Sequence, residues 1–199
     1  MKLAFIALVM LLVISCQKPP EYDVIIRNGN IYDGSGAKSY KADLAISGDT
    51  IAAIGDLSKF TGKTEVDANG LAVSPGFINM LSWANESLIE DGRSLSDLMQ
   101  GVTTEIMGEG WSMGPLNDKM KKEQVEEQGD IKYKINWTSL KGYLDFMEKK
   151  GISCNVASFV GSGTVRIYVL GYAYAQRSVY CLWVVCLCCI HSQRADKSW

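Results

Sequence analysis

The stretch Ser74-Pro75-Gly76-Phe77-Ile78-Asn79-Met80-Leu81-Ser82-Trp83 divides the 199-residue chain into two patterns. Before it, short β-rich runs alternate with turn dipeptides, and after it candidate strands alternate with candidate helices. Within it, Gly76-Phe77-Ile78 is a candidate buried strand that follows a Pro-Gly turn. The pattern therefore predicts a change of fold class here, from a β domain to an α/β domain.

Upstream of this stretch, residues 21–75 are typical of a small β domain. Asn28-Gly29 stands between the runs Val24-Ile25-Ile26 and Ile31-Tyr32, and Asn-Gly between apolar runs is a strong hairpin signal. Gly48-Asp49 provides a second turn between β-rich runs. The regular spacing of short strands predicts a small antiparallel β-sandwich or half-barrel that gives structural support.

Downstream, residues 76–175 contain three candidate strands separated by candidate helices. The strands are Gly76–Ile78, Val102–Met107 and Asn155–Val160. This alternation is typical of parallel βαβ units, in which the chemistry gathers where the strands end. The candidate site residues are therefore Asn79, Glu109 and the loop from Ser162 to Arg166.

The candidate helices carry capping and periodicity signals. Ser94 is expected to cap the first helix, which would end at Gly101 and turn three apolar side chains inward. These are Leu95, Leu98 and Met99. Thr138 is expected to cap the second helix, which ends at Gly151 and has apolar residues at i, i+3, i+4 and i+7. These are Leu140, Tyr143, Leu144 and Met147. The charged stretch from Asn117 to Lys134 is expected to be irregular.

Charge and histidine content exclude some functions. The chain has 20 Lys and Arg residues against 22 Asp and Glu residues, so its formal charge is −2. That balance gives no reason to expect a nucleic-acid partner. His191 is the single histidine. A site built on two or more imidazoles is therefore excluded for this chain alone.

The amino-terminal residues 1–16 are typical of a lipoprotein signal peptide. Lys2 precedes twelve uninterrupted apolar residues from Leu3 to Ile14, fewer than the roughly 20 that a membrane span needs. Val13-Ile14-Ser15-Cys16 resembles a lipobox, in which Cys16 carries the lipid and holds the protein at a membrane surface. The alternative is an ordinary cleaved signal with an incidental cysteine. Both interpretations predict export, to a membrane-anchored or periplasmic location.

Residues 176–199 differ in composition from the rest of the chain. Four of the six cysteines fall within nine residues, at positions 181, 186, 188 and 189. One interpretation is a metal site formed with His191, although paired C-x-x-C motifs are absent. A second is a membrane-inserted tail, too short to span. The preferred interpretation is an aberrant tail, as after a frameshift, because it fits neither the turns nor the periodicity before it.

Several motifs of residues 22–173 together resemble the amidohydrolase superfamily. They are Tyr22–Gly29, Asp33–Gly36, Ile51–Gly55 and Ser74–Ile78. Within that superfamily, Gly101–Thr104 and Val160–Arg166 resemble the N-acyl-D-amino-acid deacylases, also called D-aminoacylases. The resemblance implies a small β domain followed by the first three strands of a (β/α)8 metal-dependent barrel. It also implies hydrolysis of the amide of an N-acylated D-amino acid, a small-molecule substrate, by water activated on zinc.

The sequence departs from the family at the metal-binding positions. In the family, Pro-Gly-Phe-Ile continues into Asp-x-His-x-His, whereas Leu81 and Trp83 occupy the two histidine positions here. Glu109 stands where the family has a metal-binding Cys, and its carboxylate is the candidate zinc ligand. Zinc is accordingly expected in a complete enzyme and not in this chain.

Further residues are candidates for contact with substrate. Ser162 stands where the deacylases usually carry His, and Arg166 follows it with a guanidinium suited to a substrate carboxylate. Trp83, Trp111 and Met113 are candidates for a substrate mouth, or for ordinary core packing. No residue is predicted to be catalytic.

Two hypotheses of function remain. A (β/α)8 barrel needs about 250 residues, far more than lie between Pro75 and Ala175, so the first is a truncated, inactive amidohydrolase. The second is a short exported lipoprotein that acts as a non-catalytic binding or scaffold module. In the second hypothesis the β domain at residues 21–75 is the working part and the tail folds against another surface, whereas in the first hypothesis the β domain gives structural support.

Overall fold

The computed structural model describes residues 21–172 and 187–190. They separate into two compact units at the step from Pro75 to Gly76. Across the described ranges, no helix has both the length and the hydrophobicity that crossing a bilayer requires. The predicted signal peptide with Cys16, and the tail apart from its residues 187–190, lie outside the described residues.

The first unit is built on one five-stranded sheet. Its strands are β1 (Glu21–Ile31), β2 (Tyr40–Ser47), β3 (Thr50–Gly55), β4 (Thr61–Asp67) and β5 (Ala72–Val73). The order is β3-β2-β1-β4, with β5 also paired to β1. The β1–β2 and β2–β3 pairs are antiparallel, whereas β4 and β5 run parallel to β1.

The predicted antiparallel sandwich is therefore wrong for the described part of this unit, which forms a single mixed sheet. The connection after β3 carries the chain to the opposite side of β1, where β4 pairs in parallel. Leu57 of this connection is buried with Ile25 and Ala45, and Phe60 packs against this cluster. The connection itself thus covers the apolar residues that a second sheet would otherwise have to cover.

Asn28-Gly29 is a bulge inside β1 and not the predicted hairpin turn. Asn28 has a φ of 55°, and the β1–β2 register shifts between Ile26 and Gly29. The Asn28 amide N–H donates to Asp43 Oδ1 at 2.9 Å. Asn-Gly is suited to positive φ in a bulge as well as in a turn, and here the pairing with β2 continues past it.

The second unit contains a four-stranded sheet with helices between its strands. Its elements are β6 (Phe77–Asn79), α1 (Ser87–Glu90), α2 (Leu95–Leu98), β7 (Val102–Met107), α3 (Asp118–Glu126), α4 (Leu140–Lys150), β8 (Asn155–Phe159), α5 (Ser162–Leu170) and β9 (Leu187–Ile190). The strand order is β6-β7-β8-β9. The β6–β7 and β7–β8 pairs are parallel, as the alternating pattern predicts.

The core of the second unit lies between α4 and the sheet. All four apolar residues that the periodicity placed on one face of α4 are buried. They share a cluster with Met107 of β7 and Val156 of β8. Ser139 caps the helix one residue later than predicted, accepting a hydrogen bond from the Gly142 N–H at 3.1 Å. Gly151 ends the helix as predicted, with a φ of 78°.

The other helices differ from expectation. Ser94 has a φ of 48° and its side chain caps nothing, so α2 is a single turn. Leu95 and Met99 do not face inward, since they are 47% and 83% exposed. The stretch predicted to be irregular contains α3, which Asn117 caps by accepting from the Met120 N–H at 2.9 Å. Few apolar residues mark α3, so its capping residue is the stronger signal.

Part of the tail joins the sheet. The composition sets residues 176–199 apart from the fold, yet the backbone of Leu187–Ile190 pairs antiparallel with β8. Without such a partner β8 would end the sheet with a row of unpaired N–H and C=O groups. The pairing therefore satisfies an edge that the parallel strands leave open.

Candidate active site

A cavity of about 480 Å³ lies among the segments that follow β6, β7 and β8. Trp83 reaches it from the segment after β6, Trp111 and Met113 from the segment after β7, and Thr164 from the first turn of α5. Because the three strands are parallel, their carboxyl ends meet at one edge of the sheet. The cavity therefore lies where an α/β fold places its ligands.

Hydrogen bonds around Ser112 hold one wall of this cavity together. The Ser112 N–H donates to Thr164 Oγ1 at 2.8 Å, and the Gly161 N–H donates to Ser112 Oγ at 2.9 Å. The Gly163 N–H donates to the carbonyl of Gly110 at 2.8 Å. The segment after β7 is thus fixed directly to the start of α5.

A second wall is ordered by Tyr133. Its hydroxyl donates to Glu86 Oε1 at 2.8 Å and accepts a bond from Gln124 Nε2 at 3.4 Å. Burial raises the pKa of Tyr133 above its ordinary value, and the hydrogen bond to Glu86 raises it further. The hydroxyl therefore keeps its proton and holds the Glu86 carboxylate in place.

The site residues that were predicted from the strand ends lie outside the cavity lining. Glu109 is exposed in the turn after β7, and Ser162 and Arg166 lie on α5 and not on the predicted loop. Asn79 donates through Nδ2 to Glu105 Oε2 at 3.3 Å and accepts from the Leu81 N–H at 3.2 Å. None of these four predicted site residues lines the cavity, whereas the predicted mouth residues Trp83, Trp111 and Met113 do.

Comparisons with known proteins connect this arrangement to one group of enzymes. No family model matches the chain. The D-aminoacylase of Alcaligenes xylosoxydans xylosoxydans is 34% identical over 153 residues, which are 75% of this chain and 31% of that protein. The chain is related to the D-aminoacylases. It spans less than a third of the length of this relative.

Solved structures support this relationship to the D-aminoacylases. A crystal structure of D-aminoacylase, described as defining a subset of amidohydrolases, matches with a TM-score of 0.63 and 31% identity. The match covers 75% of this chain and 31% of the other. The N-acyl-D-glutamate deacylase of Bordetella bronchiseptica, solved with zinc and a phosphonate inhibitor, matches with a TM-score of 0.62 and 28% identity, covering 74% and 31%. The chain thus shares part of the amidohydrolase fold.

The described residues do not fit the zinc that the D-aminoacylase relationship implies. Leu81 and Trp83, which the sequence resemblance aligns with two metal-binding histidines, are 52% and 65% exposed, and their side chains offer no ligand atom. Residues 21–172 and 187–190 contain no group of three or more His, Cys, Asp or Glu arranged to hold a metal ion. Glu109 alone is one oxygen ligand, and zinc sites need three or four protein ligands.

Sequence reasoning missed a buried carboxyl group beneath this edge of the sheet. Glu105 of β7 is 0% exposed, and its Oε1 atom has no hydrogen-bond partner. Burial raises the pKa of Glu105, and the nearby Asp97 carboxylate raises it further. The polar run Thr103-Thr104-Glu105 resembles an exposed strand position, so the sequence provides no signal of this burial.

We expect Glu105→Gln to remove a pH dependence of stability in the second unit. Because the folded-state pKa is raised, the folded state binds more protons than the unfolded state once the pH exceeds the ordinary value of 4.5. The free energy of unfolding therefore falls as the pH rises from 4.5 to the raised pKa. Urea unfolding of both proteins across this range, followed by tryptophan fluorescence, measures the difference. Parallel pH profiles for wild type and variant would contradict the account of Glu105.

Proposed function

We propose that the chain descends from the N-acyl-D-amino-acid deacylases and does not itself hydrolyse amides. In this proposal the second unit corresponds to the first three strands of a (β/α)8 barrel, and the first unit to the small β domain beside it. The relationship to the D-aminoacylases supports the descent. The cavity at the carboxyl ends of β6, β7 and β8 supports the correspondence with a barrel site.

One observation is the main support for the proposal that this chain is inactive. Leu81 and Trp83 take the place of two imidazoles, and neither side chain can donate an electron pair to a metal. Glu109 remains a proposed oxygen ligand, and Ser162 and Arg166 remain proposed substrate contacts on α5. None of them supplies the missing ligand set within the described residues.

A complete relative of this lineage would cleave the carbon–nitrogen amide bond of an N-acyl-D-amino acid. For the present chain, we expect no release of acetate from N-acetyl-D-amino acids in zinc-containing buffer, measured against an active D-aminoacylase. Release that is proportional to the amount of chain, and that is lost in Glu109→Ala, would contradict the proposal.

The second candidate function is a non-catalytic binding module, exported and held at a membrane through acylated Cys16. The observation that favours it is a formed cavity whose described lining residues hold no metal-binding set. Export and lipid attachment rest on the sequence of residues 1–16 alone. The two candidates agree on the absence of catalysis and differ in whether the cavity still takes a ligand.

A further inference from the structure

The cavity of the second unit combines aromatic faces with carboxylates. Trp83, Trp111 and Tyr172 contribute the aromatic side chains, and Glu86 and Glu127 contribute the carboxylates. Among its described lining residues there is no Lys and no Arg. An aromatic face attracts a cation through its quadrupole, and a carboxylate attracts it by charge. The lining therefore favours a positively charged group over an anion.

The amide side chains of this lining are engaged or enclosed within the protein. The Gln124 amide directs its Nε2 atom to Tyr133 Oη at 3.4 Å and to Met113 Sδ at 3.6 Å, so its donors are engaged within the protein. Its Oε1 atom and the Oδ1 atom of Asn85, a second lining residue, have no hydrogen-bond partner and are closed to solvent. The acceptors that the lining offers to a ligand are therefore the carboxylates of Glu86 and Glu127.

The cavity wall that contains the Glu86 carboxylate is held in place by hydrogen bonds within the protein. Tyr133 holds Glu86 through a 2.8 Å hydrogen bond, and Gln128 fixes the Tyr133 backbone by accepting from its N–H at 3.2 Å and donating to its carbonyl at 2.8 Å. A carboxylate fixed in this way loses little freedom when a ligand binds. The volume of about 480 Å³ lies in the range of small-molecule sites.

We infer that this cavity binds a primary organic ammonium whose apolar part packs against the tryptophans and whose N–H groups bind the carboxylates of the lining. This inference goes beyond the proposed function, because it needs neither a metal nor catalysis. It also differs from the substrate that the family resemblance implies, which presents a carboxylate.

The test titrates the purified full chain with three ligands of the same shape. They are 2-phenylethylammonium, 2-phenylethanol and phenylacetate, which are cationic, neutral and anionic. Tryptophan fluorescence reports binding because Trp83 and Trp111 line the cavity, and calorimetry supplies the stoichiometry. We expect the ammonium to bind at least about tenfold more tightly than the alcohol, since aromatic faces and carboxylates both attract a cation. We expect no saturable binding of phenylacetate.

Matched variants separate the cavity from the rest of the surface. Glu86→Gln should lower the affinity for the ammonium at least about tenfold and leave the affinity for the alcohol unchanged. Glu126→Gln should change neither, because Glu126 lies on α3 outside the cavity lining and pairs with Lys122 at 3.9 Å. Circular dichroism and the urea midpoint establish that each variant is folded.

Three results would overturn the inference. They are an ammonium affinity no greater than that of the alcohol, preferential binding of phenylacetate, and ammonium binding that Glu86→Gln leaves intact. Absence of binding by the folded wild-type chain overturns it as well. The hydrolysis assay with N-acetyl-D-amino acids is a separate measurement. The proposed lack of hydrolysis and the proposed ammonium binding can therefore each fail without the other.

Discussion

Replacing Tyr143 with alanine is expected to lower the free energy of unfolding of the second unit by about 3 to 5 kcal/mol. The Tyr143 side chain is 0% exposed, and its ring lies 5.3 Å from that of Trp137. Its hydroxyl donates to the backbone carbonyl of Asn85 at 3.0 Å, in the segment between β6 and α1. Alanine would leave a cavity under α4 and release that segment from the helix.

Urea unfolding followed by tryptophan fluorescence measures this change in the second unit specifically. Every tryptophan of the chain follows Gly76 in the sequence, so the signal contains no contribution from the β unit. Tyr143→Phe is the matched control, because it keeps the ring and removes one hydrogen bond, at a cost of about 1 kcal/mol. Similar midpoints for the alanine variant and wild type would show that α4 does not form this core.

Gly161→Ala is expected to destabilise the same unit by about 1 to 3 kcal/mol and to disrupt the cavity wall. A Cβ atom at Gly161 would lie 2.6 Å from the Gly110 carbonyl oxygen and 2.7 Å from the Ser112 nitrogen. These are backbone atoms, which rotation of a side chain does not relieve. The φ of Gly161 is −63°, an ordinary value, so the expected cost is steric only.

The control for this substitution is Gly129→Ala. A Cβ at Gly129, which also lines the cavity, would meet no atom within 4 Å. We expect it to change stability by less than about 1 kcal/mol. Thermal and urea unfolding of the two variants, measured side by side, test the close approach of the segments after β7 and β8. Equal stabilities for both variants would show that the two segments are not in contact.

The sequence predicts those parts of the second unit that rest on local patterning. The helix α4, marked by its period of apolar residues, and the strand Val102–Met107 are both found where the pattern indicates them. Gly151 ends its helix because a glycine tolerates the φ of 78° found there. These signals need no knowledge of distant contacts.

The remaining features depend on distant parts of the chain. Whether Asn28-Gly29 forms a turn or a bulge depends on the pairing with β2, which a local dipeptide does not specify. Ser94 has the residue type of a helix cap, but its left-handed backbone prevents that role. Local residue type indicates that a turn or a helix cap is possible at such positions, and contacts with distant residues determine which conformation forms.

The candidate site also has some features that the sequence predicts and others that depend on distant contacts. Strand ends predict where the cavity lies, and the aromatic residues Trp83 and Trp111 were identified from sequence. Sequence reasoning missed Glu86 and Gln124, which line the cavity. Both hydrogen-bond to Tyr133, which lies 47 residues from Glu86 and 9 from Gln124. A helix in the stretch predicted to be irregular carries Gln124, so no pattern indicated its role.

Zinc content tests the central claim most directly, namely that the metal-binding positions at this strand edge have been replaced. The full chain, purified after expression with added zinc, is analysed by mass spectrometry for metal beside its Glu109→Ala variant. We predict far less than one zinc ion per chain at this site, so the two proteins should have the same metal content. One zinc ion per chain that is lost in Glu109→Ala would contradict the account.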